Sequence, residues 1–367
     1  MIDNQTLHAR LEPQLPHTVN ADRQLRNARV SPCGRYLVAG GFDGVINRWD
    51  LTGHEPTAMP PVNLHRAWVD GLDLAPNEET VFSADSWGRV VCWRYTDEKP
   101  EPIWLNEHAH NGWIRRVALS PDGTQLATCA ADHSARIWST TDGSLIHHRP
   151  HDHDVALLAW HPIEPVVVIG LANGEVVAFS LPGGDELRRF DATQLFLQHR
   201  LQDVGGVRSI AISSDGKLLV VGGTVPKIGG NVQGVPTLMM FDWHTGELKR
   251  SAEIRAASAV YPTDLAFHPE GFLMATVSGN PGTGKLLFLH PENDQPFFET
   301  SKLSNCHTLS LHPDHHQLVI NSTNTGSNGN GRRLDDDGNY IGNFSPLHFL
   351  SMPRQTGETG QELPADS

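Results

Sequence analysis

Three segments of this 367-residue chain carry residue types that could do chemistry. Gly279-Asn280-Pro281-Gly282-Thr283-Gly284-Lys285 has the glycine spacing of a phosphate-binding loop. Such a loop needs a following helix whose first amides face the phosphates, and a Ser or Thr after the Lys to reach Mg²⁺. Here Leu286 follows Lys285, and Leu287-Phe288-Leu289 reads as strand. A glycine-rich hairpin loop is the expectation. His147, His148, His151 and His153, with Asp152 and Asp154 between them, form the densest imidazole cluster. Imidazoles so placed could bind Zn, Cu or Ni. Neither HExxH nor a Cys-containing zinc pattern accompanies them, and a solvated strand connection is the simpler reading. His307, His312, His315 and His316 form a looser group. Asp335-Asp336-Asp337-Gly338-Asn339 has the acidity of a calcium loop, but Arg333 stands at the first ligand position. A tight turn between strands is expected there. No Ser or Cys has a recognisable catalytic partner. We therefore assign no catalytic residue, no cofactor and no metal ligand.

The elements that hold these segments are short strands. Gly (34) and Pro (25) are plentiful, and apolar runs are brief, which points to an all-β chain. With 28 basic and 42 acidic residues the net charge is −14, so a dominant basic face for nucleic acid is not expected. No apolar run approaches a membrane span, and Met1–Arg10 has no signal-peptide pattern. Cys33, Cys92, Cys129 and Cys306 lack CxxC spacing and read as small thiols beside strands, which fits a reducing compartment. A cytoplasmic location follows as an expectation.

The organising signal is a repeat. Turns of the type Ser-Pro-x-Gly recur, as in Ser31-Pro32-Cys33-Gly34, Ser120-Pro121-Asp122-Gly123 and His268-Pro269-Glu270-Gly271. Their second positions are 32, 76, 121, 162, 214, 269 and 313, spaced by 44, 45, 41, 52, 55 and 44. A second landmark keeps phase with the first: a large apolar residue, often followed by an acid and a glycine turn. Trp49-Asp50, Trp93, Trp138, Phe179, Phe241-Asp242, Leu289 and Leu334-Asp335 form this series. A period of about 44 residues is that of four-stranded propeller blades. The expected fold is an all-β, seven-bladed β-propeller of four-stranded antiparallel blades. We assign residues 25–344 to the propeller and 345–367 to a flexible tail. Residues 1–24 form an N-terminal segment that can supply the closing outer strand. Asn339–Phe344 is a competing candidate for blade 7.

One unit carries a family resemblance. His110-Asn111-Gly112-Trp113-Ile114, Ser120-Pro121-Asp122-Gly123, Ala131-Asp132 and Ile137-Trp138 together resemble a WD (WD40) repeat. The resemblance covers roughly residues 25–344, closely in the first four units and loosely in the last three. It implies a buried relay of His, Ser or Thr, Asp and Trp within a blade, here His110, Thr128, Asp132 and Trp138. In unit 2 the matches are His65, Ser83 and Trp93, with Trp87 standing at the acid position. In unit 4, Asn173 and Phe179 replace the acid and the Trp.

In a propeller of strands a to d, the d–a and b–c connections share one face. Trp68 and Trp113 hold equal phases in d–a connections, and Arg66 and Arg115 flank them. Trp and Arg dominate interface hot spots. Asp191–Gly206, Gly222–Pro236, Ser278–Gly284 and Ser322–Gly331 are enlarged connections of that same face, and loops on rigid scaffolds tend to carry function. We expect a non-catalytic, monomeric scaffold that binds a protein or peptide on this face, without nucleic-acid or membrane contact. The alternative is an enzyme or metal-binding propeller with a site at the central channel or loop crown.

Overall fold

Each repeat alternates an apolar run with a polar turn, and each folds as an antiparallel meander. The structure, a computed structural model, describes residues 11–76, 79–199, 202–227, 233–254, 259–279, 282–325, 333–334 and 340–353. Seven four-stranded sheets form seven blades, with strands lettered a to d from the centre outwards. Blade 1 is Leu25–Val30, Tyr36–Gly41, Ile46–Asp50 and Thr57–Val62. Blade 2 is Val69–Leu74, Thr80–Asp85, Val90–Arg94 and Pro102–Asn106. Blade 3 is Ile114–Leu119, Gln125–Ala130, Ser134–Ser139 and Leu145–Pro150. Blade 4 is Val155–Trp160, Val166–Leu171, Glu175–Ser180 and Glu186–Asp191. Blade 5 is Val207–Ile212, Leu218–Lys227, Gln233–Asp242 and Leu248–Glu253. Blade 6 is Ala259–Phe267, Leu273–Gly279, Gly284–Leu289 and Phe298–Thr300.

Blade 7 closes the ring. Its strands a and b are Cys306–Leu311 and Gln317–Ser322, strand c is Ser345–Ser351, and strand d is Gln14–Ala21 from the N-terminus. Closing the last blade with the first segment of the chain leaves no broken edge in the ring. Strand c lies beyond the boundary at 344, so the tail expected from residue 345 is partly propeller. The segment between Ser322 and Ser345 displaces strand c from its repeat phase, and Leu334-Asp335 had occupied that phase in the sequence. The buried Leu347, Phe349 and Leu350 carry the missed strand. The acidic turn at Asp335–Asn339 lies outside the described residues, as do Asn77, Glu78 and residues 354–367.

The core sits between blades. Ala127, Cys129 and Ile137 of blade 3 pack against Val167, Ile169 and Phe179 of blade 4, and similar clusters recur around the ring. Polar struts supplement them at the rim. In blade 2, Trp104 Nε1 donates to the Thr140 carbonyl of blade 3 at 2.9 Å. Arg149 donates to Gly184 O, Arg188 to Trp243 O and Arg250 to Pro291 O, each reaching the c–d turn of the next blade. Arg48 makes the same link from blade 1 to blade 2.

Histidines at the a–b turns make a second set of struts. Nε2 of His161, His268 and His312 each lies 3.0 Å from a carbonyl of the next blade, at Gly216, His315 and Gly34 respectively. A carbonyl only accepts, so Nε2–H donates in each case. The accepting residues have φ of 70°, 62° and 75°. A Cβ on Gly216 would meet His161 Cε1 at 2.5 Å, which explains glycine there.

The phosphate-loop reading ends here. Lys285 is the second residue of a buried strand, and its ammonium lies 2.9 Å from Glu299 Oε2. Among the described residues no group of three His, Cys, Asp or Glu is placed to hold a metal ion. Cys92, Cys129 and Cys306 are buried, and burial pushes each thiol up to about 12.

Candidate functional site at the channel mouth

Every strand a enters the ring with the same irregularity. The register shifts after the first residue, between Leu25/Asn27, Val69/Gly71, Ile114/Arg116, Val155/Leu157, Val207/Ser209, Ala259/Tyr261 and Cys306/Thr308. A bulge leaves one residue unpaired and re-aims its side chain. The re-aimed positions include Arg26, Asp70, Arg115, Ala156, Arg208 and His307. All six line one cavity of about 340 Å³ at the channel mouth, on the d–a and b–c face. Repetition of one backbone device around the ring thus builds a funnel whose rim residues share a sequence phase.

An aromatic ridge rises beside this funnel across blades 1 to 3. Phe42 and Trp68 meet edge-on with centroids 5.4 Å apart, and Trp68 meets Trp113 in the same way at 5.8 Å. Guanidinium groups interleave with the rings. Arg115 lies 4.9 Å from the Trp113 centroid, and Arg26 lies 5.6 Å from Trp113 and 5.5 Å from Phe42. Asp70 ties the set together, accepting from Trp113 Nε1 at 2.9 Å and from Arg26 Nε at 2.8 Å. Cation–π and charge-assisted contacts of this kind fix side chains that would otherwise move freely. Trp68 nevertheless remains 44 % exposed, and Trp87, on the neighbouring blade 2 turn, 68 %.

Of the four anchors expected from sequence, Trp68, Trp113 and Arg115 belong to this one constellation. Arg66 is exposed and takes no part in it. Arg26, Asp70, Arg208 and Phe42 were missed. The signal for three of them was available: Arg26, Asp70 and Arg208 stand one residue after the first residue of strand a, the phase of Arg115.

The enlarged connections of blade 5 are regular structure rather than loose loops. Thr193–Leu195 forms a 3₁₀ turn, and Phe196–His199 pairs with Gln202–Gly205 as a hairpin. Strands b and c of blade 5 extend over ten residues each, Leu218–Lys227 and Gln233–Asp242. The two insertions pack together, and the first is closed on itself by Gly206 N donating to Leu195 O at 2.6 Å. They stand on the funnel face beside Arg208. Ser278–Gly284 is pinned where described, Gly282 N donating to Asn305 Oδ1 at 2.8 Å. Residues 326–331 of the blade 7 connection lie outside the described residues.

Beneath the ridge, two relays stiffen blades 2 and 3. His110 Nδ1 is 3.0 Å from Asp132 Oδ1, its Nε2 is 2.7 Å from Thr128 Oγ1, and Trp138 Nε1 is 2.8 Å from that hydroxyl. Blade 2 holds an equivalent set: His65 Nδ1 to Asp85 Oδ2 at 2.9 Å, Nε2 to Ser83 Oγ at 2.7 Å, and Trp93 Nε1 to Ser83 Oγ at 3.0 Å. The relay acid of blade 2 is Asp85, not position 87. It comes from the end of strand b, two residues before the phase of Asp132, and also receives the Trp87 and Arg89 amides. This releases Trp87 to the surface. Asp85→Ala should therefore lower stability by about 2 kcal/mol, as loss of a buried charged acceptor does. Trp87→Ala should stay within about 0.5 kcal/mol. Urea unfolding of both variants checks the assignment, and the reverse order of effects would refute it.

Blade 4 shows what loss of the relay does. His151 Nε2 is buried without a partner beside Phe179, and burial first, then Arg149 and Arg189, push its pKa down to about 4. His147, His148 and His153 do not join it in a ligand set.

Comparison with known proteins agrees with this architecture. Residues 16–50 and 104–139 match the family described as "WD domain, G-beta repeat". Each matched segment begins in the outer strand of one blade and ends in strand c of the next. Protein groucho of Drosophila melanogaster is 24 % identical over 179 residues, covering 48 % of this chain and 24 % of that protein. The chain thus spans about a quarter of the length of this relative. With seven four-stranded blades and two complete relays, the chain has the fold of a β-propeller, and two of its repeats match the WD-repeat family. The complete relays lie in blades 2 and 3; blade 1 keeps Asp43 and Trp49, but Asp43 accepts from Arg23 instead of a histidine.

Proposed function

We propose that this propeller is a non-catalytic, monomeric and cytoplasmic interaction platform that binds a protein or peptide segment on the funnel face. The observation that carries the reading is the Phe42–Trp68–Trp113 ridge, half exposed yet held rigid by Arg26, Arg115 and Asp70. Aromatic and Arg side chains already ordered in the free protein lose little entropy on binding, which is the character of a hot spot. A binding role suits the funnel chemistry better than a catalytic one. Three of its guanidinium groups face carboxylates, and such pairs hold charge without moving protons. The one imidazole on the rim, His307, lies 2.6 Å from Thr323 Oγ1 and is pushed down to about 4 by burial and by Arg26. The family and the groucho similarity support an interaction scaffold in the same general sense.

Replacing both Trp68 and Trp113 with Ala should weaken partner capture by at least about 100-fold, the size of a two-residue hot spot. The check is affinity capture from the native cell, scored by mass spectrometry against the parent protein, with thermal melting to confirm folding. An unchanged set of captured proteins would remove the ridge from the reading.

A further inference from the structure

We propose that the funnel receives an anionic group, a carboxylate or phosphate carried on a peptide segment, and that Arg208 is the cation that recognises it. The proposal rests on the reading that the ridge face is the binding surface, and it names the chemistry that face selects.

The first ground is the local reversal of charge. The whole chain has a net charge of −14. The funnel is lined by Arg26, Arg115, Arg116 and Arg208, and among the described residues Asp70, Asp154 and Asp264 pair with three of them, which leaves one cation in excess. A concave site with excess charge of one sign in a protein of the other concentrates ligands of opposite charge.

The second ground is pairing. Arg26 is 2.8 Å from Asp70, Arg115 is 2.8 Å from Asp154, and Arg116 is 3.7 Å from Asp264. Among the described residues, Arg208 faces no carboxylate. Its contacts are a 3.4 Å approach to the Gly205 carbonyl and a position 5.8 Å from the Tyr261 ring centroid. Its planar fork is thus free to take an anion in two parallel hydrogen bonds.

The third ground is like charge. Arg208 stays open to solvent in the funnel wall, and desolvation by the surrounding protein, with the guanidinium groups of Arg115 and Arg26, lowers its pKa. Arg does not shed its proton at neutral pH. An arriving anion brings countercharge to this set of cations.

The last ground is shape. The bulge in strand a of blade 5 turns Arg208 into the mouth, opposite Trp113. A cavity of about 340 Å³ fits one or two side chains and not a folded domain. The exposed Trp68 beside it offers a surface for an apolar neighbour in the same segment. A nucleic acid is a poorer match, because its continuous phosphate backbone would meet the acidic surface beyond the funnel.

The test uses the full chain and arrays of eight-residue peptides with shared random flanks containing Leu or Phe. The arrays differ at two central positions, which carry Glu, phosphoserine, Gln or Lys, and binding is measured by fluorescence anisotropy for the strongest members. We expect Glu or phosphoserine peptides to bind at least tenfold more tightly than their Gln counterparts, and binding to weaken as salt rises. The Glu and phosphoserine arms separate an acidic segment from a phosphorylated one. Arg208→Gln should remove the preference at an unchanged melting temperature. Equal affinity for Gln peptides, preference for Lys, or an intact preference in Arg208→Gln overturns the proposal. So does the absence of binding in every arm, or equal binding of a labelled oligothymidylate. Binding of Gln peptides that depends on Trp68 and Trp113 would end the anion claim and leave the face assignment standing. An anion preference lost in Arg208→Gln but untouched by Trp68→Ala with Trp113→Ala would retain the claim and displace the ridge.

Discussion

Arg48→Ala is expected to lower stability by about 3 kcal/mol, the largest effect of any single rim substitution. Arg48 lies on strand c of blade 1 and is only 1 % exposed. Its guanidinium donates to the carbonyls of Tyr95 at 2.8 Å, Asp97 at 2.7 Å and Pro60 at 3.0 Å. Two of these belong to the c–d turn of blade 2 and one to the outer strand of blade 1. The side chain therefore binds one blade's outer strand to the next blade's turn. Burial lowers the pKa of Arg48, with Asp97 opposing the effect, yet the group remains a cation. Truncation removes three charge-assisted hydrogen bonds and leaves buried acceptors unsatisfied, each worth roughly 1–3 kcal/mol. Partial hydration of the c–d turn keeps the total near the lower end of that sum. Arg48→Met separates packing from hydrogen bonding, since it restores most of the volume and none of the donors. Urea unfolding should place Arg48→Met close to Arg48→Ala. A Met variant within about 1 kcal/mol of the parent would show that packing holds this blade boundary.

Acid should unfold this protein earlier than its carboxylates titrate. Burial holds His151, His307 and His348 at about 4, against an ordinary value of 6.5. Burial also lowers His110 and His268. In each case the folded state favours the neutral ring. The unfolded chain takes up a proton near pH 6.5, and the folded chain does so only near pH 4. Stability is therefore complete above about pH 6.5 and is lost as pH falls towards 4. Each pKa unit is worth about 1.4 kcal/mol, so each of the three rings contributes roughly 1–3 kcal/mol across this window. Together they rival the total stability of an ordinary domain. The relay carboxylates are lowered, Asp85 and Asp132 alike, and lose their contribution only below their ordinary value of 3.8. Urea unfolding measured from pH 7 to pH 4.5 should show uptake of about three or more protons on unfolding. His151→Phe, which leaves an apolar ring beside Phe179, should reduce the slope by about one proton. A stability that stays flat between pH 6.5 and 4.5 would refute the account.

Much of the fold was legible because a repeat states the same instruction seven times. The turns at 32, 76, 121, 162, 214, 269 and 313 fixed the number of blades, and each does close an a–b hairpin. Phase failed where chain was inserted. The stretch before Ser345 displaced strand c of blade 7, so a buried strand read as tail. Phase also misplaced the acid of blade 2, because Asp85 reaches His65 from a strand end instead of a turn.

The candidate site was half legible. Trp68, Trp113 and Arg115 stood out by residue type and phase. Arg66 looked equivalent to Arg115 by its closeness to a Trp, but it precedes the strand and points to solvent. Arg26 and Arg208 have no Trp beside them in the sequence and were not singled out. Only the bulge at the start of every strand a shows that their phase aims inwards.

What the sequence by itself determined is the architecture: blade number, strand order, buried faces and one relay. These follow from local periodicity and turn chemistry, which each unit carries within its own 40 to 55 residues. What only the tertiary structure decided is which charges meet. Asp70 and Arg26 are 44 residues apart, Arg29 and Asp264 are 235 apart, and Arg208 finds no acid among the described residues. Such pairings depend on ring closure, which brings seven distant strands to one axis. No local pattern in the chain encodes that geometry.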